Sequence, residues 1–114
     1  MPYIETTVSV AISARKEQAI KERMGRAIEL IPGKTEGWLM LAFHDNTPMY
    51  FKGSNDEPCA ICQVKLFGSA TEENYAALTE ALTDILREEL EIEPDRIYIT
   101  YQEIDTWGWN SGNF

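Results

Sequence analysis

The chain reads as an α+β protein, two β-α-β repeats giving a four-stranded sheet with both helices on one face. Three observations predict this. Residues 3–10 and 60–67 each alternate in the period-two manner of a strand. Each is followed by apolar residues at helical three-and-four spacing, then by a further β-rich run. The second set follows the first about 57 to 60 residues on, so one supersecondary unit is used twice. At 114 residues there is room for a single domain, 1–114.

The elements follow in order. In 3–10 (YIETTVSV), Tyr3, Glu5 and Thr7 share one face, and Ile4, Thr6 and Val8 the other. Ser13 is placed to cap a helix whose apolar stripe is Ile20, Met24, Ala27, Ile28 and Ile31, and Pro32-Gly33 ends it. A second strand is expected over Trp38–His44, then a turn at Asp45–Pro48 and a short strand over Met49–Lys52. Gly53–Pro58 has the composition of a loop. Ala60–Phe67 is the third strand. Thr71 caps the second helix, with Tyr75, Leu78, Leu82, Ile85, Leu86 and Leu90 as its stripe. Pro94-Asp95 turns the chain into a last strand, Arg96–Ile104. The tail, Trp107–Phe114, is aromatic and Gly/Asn-rich, which suits turns or short strands lying against something. With both helices on one sheet face, the other face still carries apolar residues and nothing left in the chain can cover it. That points to self-association.

Composition narrows function by exclusion. Nineteen acidic residues against ten basic ones give a net charge of −9. Nucleic-acid binding needs a basic face, and an anionic membrane surface would repel this chain. No apolar run approaches the length of a membrane span. Met1–Glu5 lacks a basic stretch followed by an apolar one, so no secretory signal is expected and the cytoplasm is the expected compartment.

Pro2 is the residue with most chemistry in it. Removal of Met1 would leave a secondary amine, and a free α-amino group titrates near neutrality. Burial disfavours its charged form, giving a base suited to proton abstraction next to a carbonyl. Taken alone, Pro2 reads first as a residue that begins a strand, where its missing N–H costs nothing. Cys59 and Cys62 have C-x-x-C spacing, but β-type residues follow them, and strand positions three apart face opposite ways. Without a nearby His pair they are also a poor zinc site. His44 is read as solvated, and Asp45 with Glu88, Glu89, Glu91 and Glu93 as exposed charge.

Several segments together resemble the macrophage migration inhibitory factor family of the tautomerase superfamily. They are Glu57-Pro58-Cys59-Ala60-Ile61-Cys62 running on to Phe67-Gly68, then Pro94-Asp95-Arg96-Ile97-Tyr98-Ile99, then Gly108-Trp109-Asn110 and the terminal Phe114, with Pro2 and Gly33-Lys34. Each motif is weak alone, but together they span the chain in order. The resemblance implies a homotrimer whose sheets surround a central channel, which would answer the uncovered face.

The resemblance also implies a cofactor-free, metal-free keto–enol tautomerase acting on phenylpyruvate-type α-keto acids, with Pro2 as general acid and base. Lys34 would hold the substrate carboxylate and disfavour protonation of the neighbouring amine. Tyr98 would come from the adjacent subunit, the Phe67 backbone N–H would face the substrate, and Trp109 and Phe114 would form an aromatic wall with Tyr3 near the mouth. Thr100 stands where mammalian members have asparagine, Phe67 where relatives have isoleucine, and Trp107 where a small aliphatic residue is usual. The resemblance implies a second class of activity as well: a cytokine-like protein that binds a receptor, exported without a signal peptide, its tautomerase activity vestigial or incidental.

Overall fold

The computed structural model describes residues 1–114. Strand β1 (Pro2–Val8) leads through helix α1 (Ala14–Ala27) to β2 (Met40–His44), and β3 (Ala60–Phe67) leads through α2 (Glu72–Leu90) to β4 (Ile97–Ile104). The sheet order is β2-β1-β3-β4. β1 runs parallel to β2, β3 runs parallel to β4, and β1 and β3 join antiparallel in the middle. The expected doubled unit is therefore present, its halves meeting at Pro2↔Leu66 through Val8↔Ala60.

The alternation in the sequence decides which face the helices cover. Ile4, Thr6 and Val8 of β1 and Ala60, Cys62, Val64 and Leu66 of β3 are buried. Beneath α1 and α2 they join Ile20, Met24, Leu78, Leu82 and Leu86 in one core. Thr6 is polar in that setting and is satisfied across the strands by the Cys62 thiol at 3.4 Å. The helix starts follow from their caps: Ser13 Oγ accepts from Lys16 N–H and Thr71 Oγ1 from Asn74 N–H. α2 ends at Glu91 in the left-handed conformation, φ 56°. The opposite face carries Tyr3, Met40, Ile61, Phe67 and Tyr98 among polar neighbours, and no helix of the chain lies over it. Met40 and Tyr98 are 66% and 59% exposed there.

Three expectations are corrected. Trp38 does not begin the second strand but closes a 3₁₀ turn over Glu36–Trp38. Pairing with β1 starts at Tyr3↔Met40, so in that register Trp38 would have only Met1 beside it. Met49–Lys52 is not a strand. It makes only an isolated bridge, Phe51↔Ser54, around a turn in which Lys52 and Gly53 both have positive φ. The acidic residues are not all free charge: Arg23 pairs with Glu88 and Glu89, tying α1 to α2. Similarly, Asp45 accepts from Ile12 N–H, and His44, though half exposed, pairs with Glu5 at 2.8 Å.

Candidate functional site

The chain start lies inside the sheet. Pro2 is buried at the start of β1 and pairs with Leu66 of β3, and Phe67 N–H donates to the Met1 carbonyl at 3.1 Å. From the loop after α1, Lys34 reaches the same place and donates through Nζ to the Phe67 carbonyl at 2.7 Å. Gly33, at φ 82°, makes the bend that aims it there.

This neighbourhood acts on the terminal amine. The α-amino group of Met1 is lowered from 8.0 to about 6, first by burial, then by its hydrogen bond with Lys34 and by that residue's charge. The Met1 amine is therefore held largely neutral near pH 7.

A cleft of about 790 Å³ opens over this point, lined by Met1, Pro2, Tyr3, Gly37–Ala42 and Trp107–Trp109. Its aromatic wall comes from the tail, which folds into a two-residue ribbon, β5 (Gly108–Trp109) against β6 (Gly112–Asn113). Asn110 and Ser111 both take positive φ at the tip, and Phe114 N–H donates to the Trp107 carbonyl at 2.9 Å. Phe114 then packs against Phe67 (5.8 Å between ring centres), and Trp109 against Trp38 edge-on (4.9 Å). The site thus joins a buried backbone start, a lysine and the N–H and carbonyl of Phe67 to a largely apolar, ring-lined cleft.

Of the residues singled out from the sequence, Pro2, Tyr3, Lys34, Phe67, Trp109 and Phe114 converge at this end of the sheet. Tyr98 and Thr100 do not. Pro2 is level with Leu66, and Leu66 with Glu103, so Tyr98 lies five positions down β4, about 17 Å away along the strand. Sequence reasoning missed Trp38 and Met40 as lining residues. Met40 is signalled only by its register partner Tyr3, and Trp38 only by standing exposed beside the Gly-Lys bend.

Comparison with known proteins gives the family. The family model described as macrophage migration inhibitory factor matches residues 1–114. The chain belongs to the macrophage migration inhibitory factor family. It is 34% identical to macrophage migration inhibitory factor of Mus musculus over 119 residues, covering 100% of this chain and 99% of the mouse protein. The crystal structure of Leishmania major MIF2 superposes with a TM-score of 0.92 at 32% identity, covering 100% of this chain and 97% of the other. The family's homologue from Toxoplasma gondii, at 24% identity and a TM-score of 0.89, shares the fold. Membership places the chain in the tautomerase superfamily. No helix is long and apolar enough to cross a membrane.

Proposed function

We propose that the chain, once Met1 is removed, is a cofactor-independent keto–enol tautomerase for phenylpyruvate-type α-keto acids, with the Pro2 amine as its base. The observation that carries this reading is the depressed pKa of the amine at the chain start, beside Lys34. Met1 itself supports it. The retained methionine engages Lys34 with its amine and the Phe67 N–H with its carbonyl, and it lines the cleft. Its removal would free those two donors and bare the Pro2 secondary amine between them.

The chemistry then needs only proton movement. Neutral Pro2 takes a proton from the enol oxygen and returns one to carbon 3 of the same molecule, giving the keto acid. No electrons leave and no bond of the carbon skeleton breaks. Lys34 and the Phe67 N–H hold the carboxylate end, and charge-assisted hydrogen bonds suit that task. Tyr3, Trp109 and Phe114 receive the aryl group.

We further propose that the functional unit is a homotrimer in which Tyr98 and Thr100 close the pocket of the neighbouring copy. β2 and β4 are both edge strands, the face away from the helices has no helix over it, and the Tyr98 hydroxyl has no hydrogen-bond partner within its own chain, all of which support this.

The test is enol-to-keto conversion of phenylpyruvate by wild type, Pro2→Gly and Lys34→Ala, with Met1 removal confirmed by mass and assembly by sedimentation. Loss of turnover in an assembled Pro2→Gly is expected, with a raised KM in Lys34→Ala. Equal rates in wild type and Pro2→Gly would reject Pro2 as the base and favour the other family activity, a cytokine-like protein that binds a receptor.

A further inference from the structure

Arg96 is the one charged side chain among the most buried residues, 9% exposed, and it has no carboxylate partner. Its guanidinium instead donates to four backbone carbonyls of a single loop. Nε reaches Pro58 O at 3.0 Å, Nη1 reaches Phe51 O at 3.3 Å, and Nη2 reaches Ser54 O and Glu57 O at 3.1 and 3.0 Å. Such a planar fork of donors fixes several acceptors at once, which a lysine cannot reproduce. The charge also lies 5.5 Å from the centre of the Phe51 ring. That loop has no strand pairing beyond the Phe51↔Ser54 bridge, and its turn residues Lys52 and Gly53 sit at positive φ. Arg96 therefore supplies most of what holds it.

The loop's inward ring is the link to the site. Phe51 meets Tyr98 edge-on, 5.0 Å between ring centres at 89°, the favourable quadrupolar arrangement for two aromatic rings. Tyr98 lies two residues after Arg96 on an edge strand, more than half exposed, with nothing else in its chain to fix its ring.

We propose that Arg96 is a positioning residue which, through Phe51, sets where the Tyr98 ring stands and so shapes the aryl-carboxylate pocket that Tyr98 closes on the neighbouring subunit. This rests on the trimeric reading above. The recognition is of an aryl group tethered to a carboxylate, and the clamp acts on binding and not on the proton transfer.

The experiment uses the Met1-free trimer and a non-reacting probe, 3-phenylpropionate, followed by calorimetric titration. Phenylpyruvate turnover is measured alongside. Tyr98→Ala, Phe51→Leu and Arg96→Lys are each expected to weaken probe binding about three- to ten-fold. Phe51→Tyr, which keeps the ring, is expected to bind as wild type. Phe51→Leu/Tyr98→Ala is expected to match Tyr98→Ala alone, because Phe51 acts only through Tyr98. Should Arg96→Lys fail to assemble, the two Phe51 variants decide.

Wild-type binding in Phe51→Leu, or losses that multiply in the double variant, would overturn the positioning role while leaving Tyr98 in the pocket. Wild-type binding in Tyr98→Ala, or no probe binding by the unsubstituted protein, would overturn both. Coupled losses of binding without any phenylpyruvate turnover would support the clamp and reject the catalytic reading.

Discussion

Replacing Lys34 by methionine removes the cation beside the chain start while keeping a long side chain. The terminal amine in the Met1-bearing chain stands at about 6, down from 8.0, and the causes rank burial first, then the Lys34 hydrogen bond, then its charge. Burial survives the substitution, so only part of the two-unit drop is returned. A rise of about one unit is expected, leaving the amine below its ordinary value. In the Met1-bearing form this is measured directly by NMR titration of a labelled Met1 amine. The sign for stability follows from the same shift. The folded chain holds that proton less tightly than the unfolded one, so stability rises as pH climbs from about 6 to 8 and is level above. In Lys34→Met that window narrows from its lower end. In the processed chain the acid limb of kcat/KM reports the free enzyme's base, and Lys34→Met should move it upward by a similar amount. An acid limb that stays put, or moves to lower pH, would refute the coupling between Lys34 and the amine.

Leu82 is fully buried in the core under α2, and Leu82→Ala should cost about 2–5 kcal/mol, read as a lower urea midpoint at unchanged m-value. Burial pushes the Cys62 thiol up from 9.0 to about 11, partly offset by its bond to Thr6. It should resist Ellman's reagent at pH 8 until urea is added, and its share of stability should fall as pH rises from 9 to 11. Rapid labelling of Cys62 in the folded protein would contradict its place under the helices. Trp107 lines the cleft beside Pro2 and Trp38, so Trp107→Val should raise the kcat/KM ratio of naphthylpyruvate to phenylpyruvate about ten-fold. An unchanged ratio would remove Trp107 from the substrate's path.

Local signals in the sequence carried the fold. The Ile4-Thr6-Val8 alternation, the Ser13 and Thr71 caps and the Leu78-Leu82-Leu86 spacing are all set by neighbours a few residues away, and each element stands where they place it. Met49-Tyr50-Phe51 misled because two strong β-formers, Tyr50 and Phe51, do not make a strand without a partner, and the positive φ of Lys52 and Gly53 turns the chain back on itself instead. Trp38 misled similarly. Its β propensity is real, but β1 starts only at Pro2, so in this register a ladder would have just Met1 to pair with. At the site, Pro2, Lys34 and Trp109 were legible through motif and not through spacing. Nothing local says that a lysine after the first helix will reach the carbonyl ending the third strand. The Arg96 clamp was invisible for the same reason, since its four acceptors are backbone oxygens that no side-chain pattern marks.

A terminal amine is an unusual choice of base, because chain ends fray and a frayed amine is solvated and charged. The topology removes that objection. In the order β2-β1-β3-β4, the first strand is an interior one, held by β2 along one edge and β3 along the other. Pro2 has no N–H to lose from the ladder, so freeing its nitrogen costs the sheet nothing. The antiparallel join with β3 then sets Pro2 beside the end of β3, where Phe67 presents its N–H and Lys34 anchors on its carbonyl. A parallel join of the two halves would have brought the first residue of β1 to the start of β3, next to Cys59 and Pro58, with neither donor nearby. The antiparallel centre of the doubled unit is thus what places an amine, a cation and a backbone donor together at one end of the sheet.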